Sequence, residues 1–180
     1  MRFVHDLGGG YALALRTPDT VAEMHRLTLK NLDRLREWEP WAQGEQSLEA
    51  TASFTGMQLE RFAAGTLLPT AIARDGVLIG SASLRLDSYL GTAELGYWID
   101  EEEQGKGVVF RACTALLDHA REAGAARVEI RTAVANVRSR RLAERLGFIH
   151  EGTLRAALPI GETRLDVALY GLVAKHDDVF

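Results

Sequence analysis

Gln104-Gly105-Lys106-Gly107 sets two glycines around a lysine where a strand-like run gives way to a helix-like one. Glycine weakens the interior of an element, so glycines at a boundary mark backbone that must turn left-handed or approach something closely. The first turn of a helix leaves N–H groups unpaired and carries partial positive charge. Bare backbone leading into such a turn suits a phosphate, although a tight turn with no ligand reads the same way. Two familiar phosphate loops do not fit. GxxxxGK[ST] needs an earlier glycine and a Ser or Thr after a Gly-Lys pair, and GxGxxG would place glycine where Phe110 stands. Further on, ANVRSRRLAERLGF opens a second helix-like stretch. Asn136 reads as its N-cap. Ser139 falls in its first turn, toward solvent or toward a ligand.

These residues need a scaffold, and 180 residues suffice for one domain with a sizeable core. Hydrophobic content of 47% and charged content of 26% are those of an ordinary globular chain. No apolar run approaches the roughly 20 residues that span a bilayer. Asp6 and three glycines interrupt the start of the chain where an export signal would be unbroken, so no membrane partner is expected and the cytoplasm is the expected address. The single cysteine, Cys113, excludes an internal disulfide and reads as core, and the five histidines have no ligand spacing, so no metal is expected. A net charge of -4 argues against nucleic acid as a partner. Seven arginines against three glutamates leave 121–145 at +4 and the remainder at -8. That stretch is either a solvated helix face or part of a site for a small anion.

The pattern predicts a strand over 11–15, then a helix started by Thr17-Pro18-Asp19, with Val21, Met24, His25, Thr28, Leu32 and Leu35 on one face. Pro40 breaks it beside Trp38 and Trp41. These two tryptophans sit in a loop, where recognition residues gather, and are candidates for binding a substrate. Ser47 caps a helix reaching Phe62. Strands over 70–74 and 77–84 flank Asp75-Gly76, a two-residue hairpin signal. A strand over 92–99 leads into the glycine loop and a helix over 108–123. A strand over 128–132, a helix over 136–146 closed by Gly147, and strands over 148–154 and 165–173 complete one mixed α/β domain spanning 1–180.

Together these pieces resemble the GNAT superfamily of acetyl-CoA-dependent N-acetyltransferases. Gln104, Gly105-Lys106 and Gly107 match that superfamily's [RQ]xxGx[GA] loop, with Val109 where Gly or Ala is usual; AELGYWID resembles the strand before it, and ANVRSRRLAERLGF the next motif. LKNLDRLREWEPWA resembles the RimJ/RimL branch, which acetylates N-terminal amines of ribosomal proteins. The resemblance implies a mostly antiparallel seven-stranded sheet, splayed between its fourth and fifth strands and flanked by about four helices, with acetyl-CoA in the split. It implies that the backbone at Trp98 and Ile99 contacts the coenzyme, that Gln104, Gly105, Lys106, Gly107, Val108 and Val109 hold its pyrophosphate, and that Arg140 holds its 3′-phosphate. It places Asn136 and Ser139 near the thioester sulfur, with Ser139 stabilising the leaving thiolate, and offers Glu94, beside the split, as the base. A homodimer fits the branch. An α-amine with pKa about 7.8 is neutral far more often than a lysine near 10.4, a difference worth roughly 3.5 kcal/mol. That favours a protein N-terminus as acceptor. A small-molecule amine, or a module that binds acyl-CoA without turnover, stays open at this point.

Overall fold

The computed structural model describes residues 4–174. Its strands form one eight-stranded sheet: β1 (Val4–Gly8), β2 (Tyr11–Leu15), β3 (Leu67–Arg74), β4 (Val77–Asp87), β5 (Thr92–Ile99), β6 (Arg127–Ala133), β7 (Ile149–Ile160) and β8 (Thr163–Val173). Their order across the sheet is β1-β2-β3-β4-β5-β6-β8-β7. Every pairing is antiparallel except β5 with β6. The expected count of seven strands is corrected to eight. The additional strand is β1, a mostly exposed edge strand that pairs with β2 across glycines 8–10, all at positive φ.

The helices are α1 (Val21–Lys30), α2 (Leu32–Arg36), α3 (Leu48–Ala63), α4 (Val108–Glu122) and α5 (Val137–Arg145). The first predicted helix therefore divides in two. Asn31, 5% exposed, sits at the break, and its side chain donates to the Leu27 carbonyl and accepts from the Glu101 N–H. This ties the N-terminal helices to the segment before the glycine loop. Ser47 caps α3 by accepting from the Ala50 N–H, as its position predicts. Asp75 and Gly76 both take positive φ, the geometry of a type I′ hairpin.

The main core lies between α4 and the sheet. Ala112, Cys113, Ala115, Leu116 and Ala120 face Leu84, Leu95, Val128 and Ile130, all nearly or wholly buried. Small residues on α4 let the helix sit close to β4 and β5, whose C-terminal half carries the site. Met24, Leu27 and Leu78 form a second, smaller cluster against which Trp98 packs.

The β5–β6 pair fixes the site. It is in register only at Thr92 with Arg127, Ala93 with Val128 and Glu94 with Glu129. Beyond Glu94 the two strands part, while β5 stays paired to β4 and β6 to β8. Edge groups of both strands are thus left facing a gap in the middle of the sheet. The split falls between the two strands the sequence places fourth and fifth, now β5 and β6.

Candidate active site

The gap widens into a cleft of about 1520 Å³. That exceeds the roughly 300–1,000 Å³ of a single small-ligand pocket, so the cleft has room for two substrates at once. One wall is the glycine loop with α5; the other is α3 with the loop carrying Trp38 and Trp41.

Gly107 is the N-cap of α4 with φ +72°, and Gly105 has φ +77°. A Cβ on either would meet no protein atom within 4 Å. The requirement is therefore for left-handed backbone, and the space beside it is open to a ligand. Gln104, Gly105, Gly107, Val108 and Val109 line the cleft. Val108 is buried, and Val109 packs against the core from the first helical turn, where its backbone needs no glycine. Lys106 lies outside the lining and pairs with Glu103 at 3.0 Å. Glu103 also accepts from Arg74 and Tyr11 at 3.1 Å, so the loop is anchored from behind by a carboxylate held below its ordinary pKa by those donors, with burial opposing them.

Asn136 caps α5, its Oδ1 accepting from the Ser139 N–H at 3.1 Å. Ser139 Oγ lies 2.9 Å from the Tyr97 hydroxyl. This contact crosses the split, joining α5 to the parted section of β5. Burial pushes the Tyr97 phenol well above its ordinary pKa, so it remains a proton donor. Sequence reasoning named Ser139 and Asn136 but missed Tyr97 as the partner of the Ser139 hydroxyl. Arg140 lies outside the cleft lining: it donates to the Tyr170 hydroxyl at 3.1 Å and to the Val134 carbonyl at 3.2 Å. The α5 arginines on the cleft are Arg138, Arg141 and Arg145. Arg138 bonds the Gln104 side chain, and Arg145 stacks on Phe110 with its guanidinium carbon 5.1 Å from the ring centroid.

Glu94 lies at the foot of the split, ion-paired with Arg85 and 3.9 Å from Arg131. Taking a proton there would weaken both pairs. Trp38 and Trp41 line the cleft, as does Trp98, whose ring stands 6.5 Å from that of Trp41. Between the first two tryptophans, Glu39 also lines it. Its carboxylate accepts from the Trp41 indole at 2.9 Å. Burial raises its pKa to about 7, the indole bond pulling the other way. Sequence reasoning passed over Glu39, because an acid beside a proline in a loop looks like a solvated one. Its signal was its position between two large aromatics. Among the described residues no three His, Cys, Asp or Glu side chains are grouped to hold a metal, and no helix is long and apolar enough to cross a membrane.

A sheet parted at two parallel strands, with a left-handed glycine turn feeding a helix N-terminus beside the gap, suits an extended ligand that carries phosphate. Residues 12–149 match the model of the acetyltransferase (GNAT) domain, and the chain belongs to that family. It is an acetyl-CoA-dependent N-acetyltransferase of the RimJ/RimL branch. The ribosomal-protein-serine acetyltransferase of Escherichia coli (strain K12) is 34% identical over 155 residues, covering 85% of this chain and 87% of that protein. The Bacillus subtilis (strain 168) protein YdaF is 32% identical over 167 residues, 91% of each. Among solved structures, RimL, a ribosomal L7/L12 alpha-N-protein acetyltransferase in complex with coenzyme A, superposes with TM-score 0.91 at 25% identity, over 95% of this chain and 98% of that one.

Proposed function

We propose that the chain acetylates an N-terminal α-amine of a protein, with acetyl-CoA and acceptor bound together in the split. The observation that carries this reading is the geometry of the cleft, which is large enough for two substrates and places the half-buried Glu39 carboxylate between Trp38 and Trp41, with burial raising its pKa to about 7. Proton transfer to it from an α-ammonium of pKa about 7.8 is uphill by roughly 1 kcal/mol. From a lysine near 10.4 it is uphill by roughly 4.6 kcal/mol. A base tuned near neutrality thus serves the α-amine and leaves lysine largely protonated. The names of the Escherichia coli relative and of the RimL structure point the same way.

Acetyl-CoA supplies an activated thioester. In this reading Gly105, Gly107 and the α4 N-terminus hold its pyrophosphate, and Arg138, Arg141 and Arg145 offer the positive charge for its further phosphate. The gap-facing edge of β5 around Trp98 and Ile99, where the Ile99 carbonyl already accepts from the Arg34 guanidinium, takes its amide-bearing arm as a strand edge accepts an extended chain. Glu39 takes the amine proton, directly or through water. Backbone N–H groups near Tyr97 stabilise the developing oxyanion. Tyr97, bonded to Ser139, delivers a proton toward the leaving sulfur. Glu94 sets the foot of the split rather than moving the proton.

The test follows free thiol release from acetyl-CoA with short peptides. One set has free N-termini and blocked lysines; the other has blocked N-termini and free lysines. Polyamines, aminoglycosides and free amino acids complete the panel. Turnover confined to free peptide N-termini is the expected result. Turnover confined to lysines or to a metabolite overturns the reading.

A further inference from the structure

Arg16, just past the end of β2, is 5% exposed and lines the cleft between β3 and α3. Its backbone N–H donates to the Pro69 carbonyl at 3.0 Å, which fixes it against the sheet. Its guanidinium finds little to balance it. Nη2 donates to the Thr55 hydroxyl at 3.3 Å, and that hydroxyl already donates to the Thr51 carbonyl. One face lies on the Phe54 ring, 5.4 Å from its centroid. Nε is buried with no partner, and among the described residues no carboxylate reaches Arg16 within 4.0 Å. The contrast with other arginines of the sheet is plain. Arg85 has Glu94, Arg74 has Glu103, and Arg127 has Glu129 and Glu151. Burial without a counter-charge pulls the Arg16 pKa down to about 10, so the cation persists at neutral pH.

Buried charges are normally paired, because leaving water is costly unless a partner replaces the lost hydration. On the same wall, Gln58 of α3 leaves its Oε1 buried without a donor. The wall therefore offers an unused planar cation and an unused acceptor, side by side in type, on the cleft face opposite the glycine loop. A planar guanidinium fits a carboxylate in a fork. A carbonyl oxygen fits an N–H.

We propose that Arg16 is the anion-binding residue of the acceptor subsite, and that the favoured acceptor carries a carboxylate close to the amine it presents. This rests on the reading of the cleft as the place of N-acetyl transfer, and it narrows the acceptor. The amine end lies toward Glu39 and the acid end toward Arg16, with Gln58 on the same wall available to take an N–H. The carboxylate is that of an acidic side chain near the start of a polypeptide; the α-carboxylate of a free amino acid presents the same group. Arg16 binds and orients, and takes no part in proton transfer.

The experiment uses the full chain with acetyl-CoA and matched peptides carrying Glu, Gln or Lys at their second and third positions, beside a free amino acid and its carboxamide. KM and kcat come from thiol release. Binding comes from tryptophan fluorescence with coenzyme A present, since Trp38 and Trp41 line the cleft. The wild-type chain is expected to show a KM at least tenfold lower for the Glu peptide than for the Gln peptide, with kcat little changed. Arg16→Met should erase that preference and leave the KM for acetyl-CoA unaltered, and Arg16→Lys should keep part of it. Equal KM and equal binding for acid and amide in the wild-type chain overturn the proposal without recourse to any variant. So does a preference that survives Arg16→Met. Peptides acetylated equally well whatever their charge would leave the N-terminal reading standing and remove the Arg16 subsite. An Arg16-dependent preference for the free amino acid over its carboxamide, with no peptide acetylated, would keep the subsite and remove the peptide.

Discussion

Replacing Glu39 by glutamine should make the protein more stable and far less active at the same pH. The folded chain holds the Glu39 proton up to about pH 7, whereas the ordinary carboxylate value is 4.5. A carboxyl group whose pKa is raised by folding contributes stability that is complete below the unfolded value and is lost as pH rises through the folded one. At about 1.36 kcal/mol per unit, the loss between pH 4.5 and 7 reaches about 3 kcal/mol, or about 2 once the group's partial contact with water is allowed for. Glutamine has the same shape and can still accept the Trp41 indole, but it carries no charge to desolvate. Urea unfolding of both proteins at pH 5 and pH 8 reads this directly. The variant's advantage at pH 8 should exceed that at pH 5 by about 2 kcal/mol. Its turnover should fall by roughly 10²–10⁴, the usual worth of a positioned base. A stability difference that does not change with pH, or a variant weaker than the parent at pH 8, would refute the account of a carboxylate kept in an unfavourable place for its chemistry.

Three further outcomes follow from the same geometry. Trp41→Phe removes the hydrogen bond that favours the charged form of Glu39, so the acid limb of the kcat/KM profile should move upward by about one pH unit, from roughly 1.5 kcal/mol for a bond to a charged group; a limb that stays put would mean that the indole does not tune the base. Tyr97→Phe and Ser139→Ala should each lower kcat by about 10² with little change in the KM for acetyl-CoA, and the double variant should be no worse than either, because the two hydroxyls act as a unit; additive losses would separate their roles. Gly107→Ala forces a side chain into φ +72°, costing about 1–2 kcal/mol of stability; calorimetry should also show acetyl-CoA binding at least tenfold weaker, and unchanged binding would move the pyrophosphate elsewhere.

Much of the scaffold was legible because its signals are local. Asp75-Gly76 can make only a narrow range of turns, Ser47 meets its own helix three residues on, and 92–99 is bounded by Gly91 and by the acids that begin the next turn. Features fixed by distant partners were not legible. Asn31 interrupts a helical pattern because it bonds Glu101, seventy positions away. β1 is a short edge strand whose mostly exposed residues leave little alternation to read. The arginines of α5 follow one another so closely that sequence cannot say which turns inward. Tyr170 on β8, which also donates to Glu144 at 3.0 Å, draws Arg140 away and leaves Arg138, Arg141 and Arg145 on the cleft. Glu39 shows in the sequence only through the tryptophans on either side of it, while the rest of the cleft around it comes from other elements.

The three ladder pairs that join β5 to β6 have a consequence for how the molecule breathes. They are the shortest seam in the sheet, with β1 to β5 on one side and β6 to β8 on the other. Amide hydrogens of β5 beyond Glu94 that face the gap have no neighbouring strand to shelter them, so in the free protein they should exchange with solvent sooner than those of β3 and β4. An extended ligand laid in the gap would serve as a borrowed ninth strand, slowing that exchange and stitching the two wings into one cooperative unit. Unfolding of the free chain would then begin at this seam, and saturation with the co-substrate would move its weakest point elsewhere.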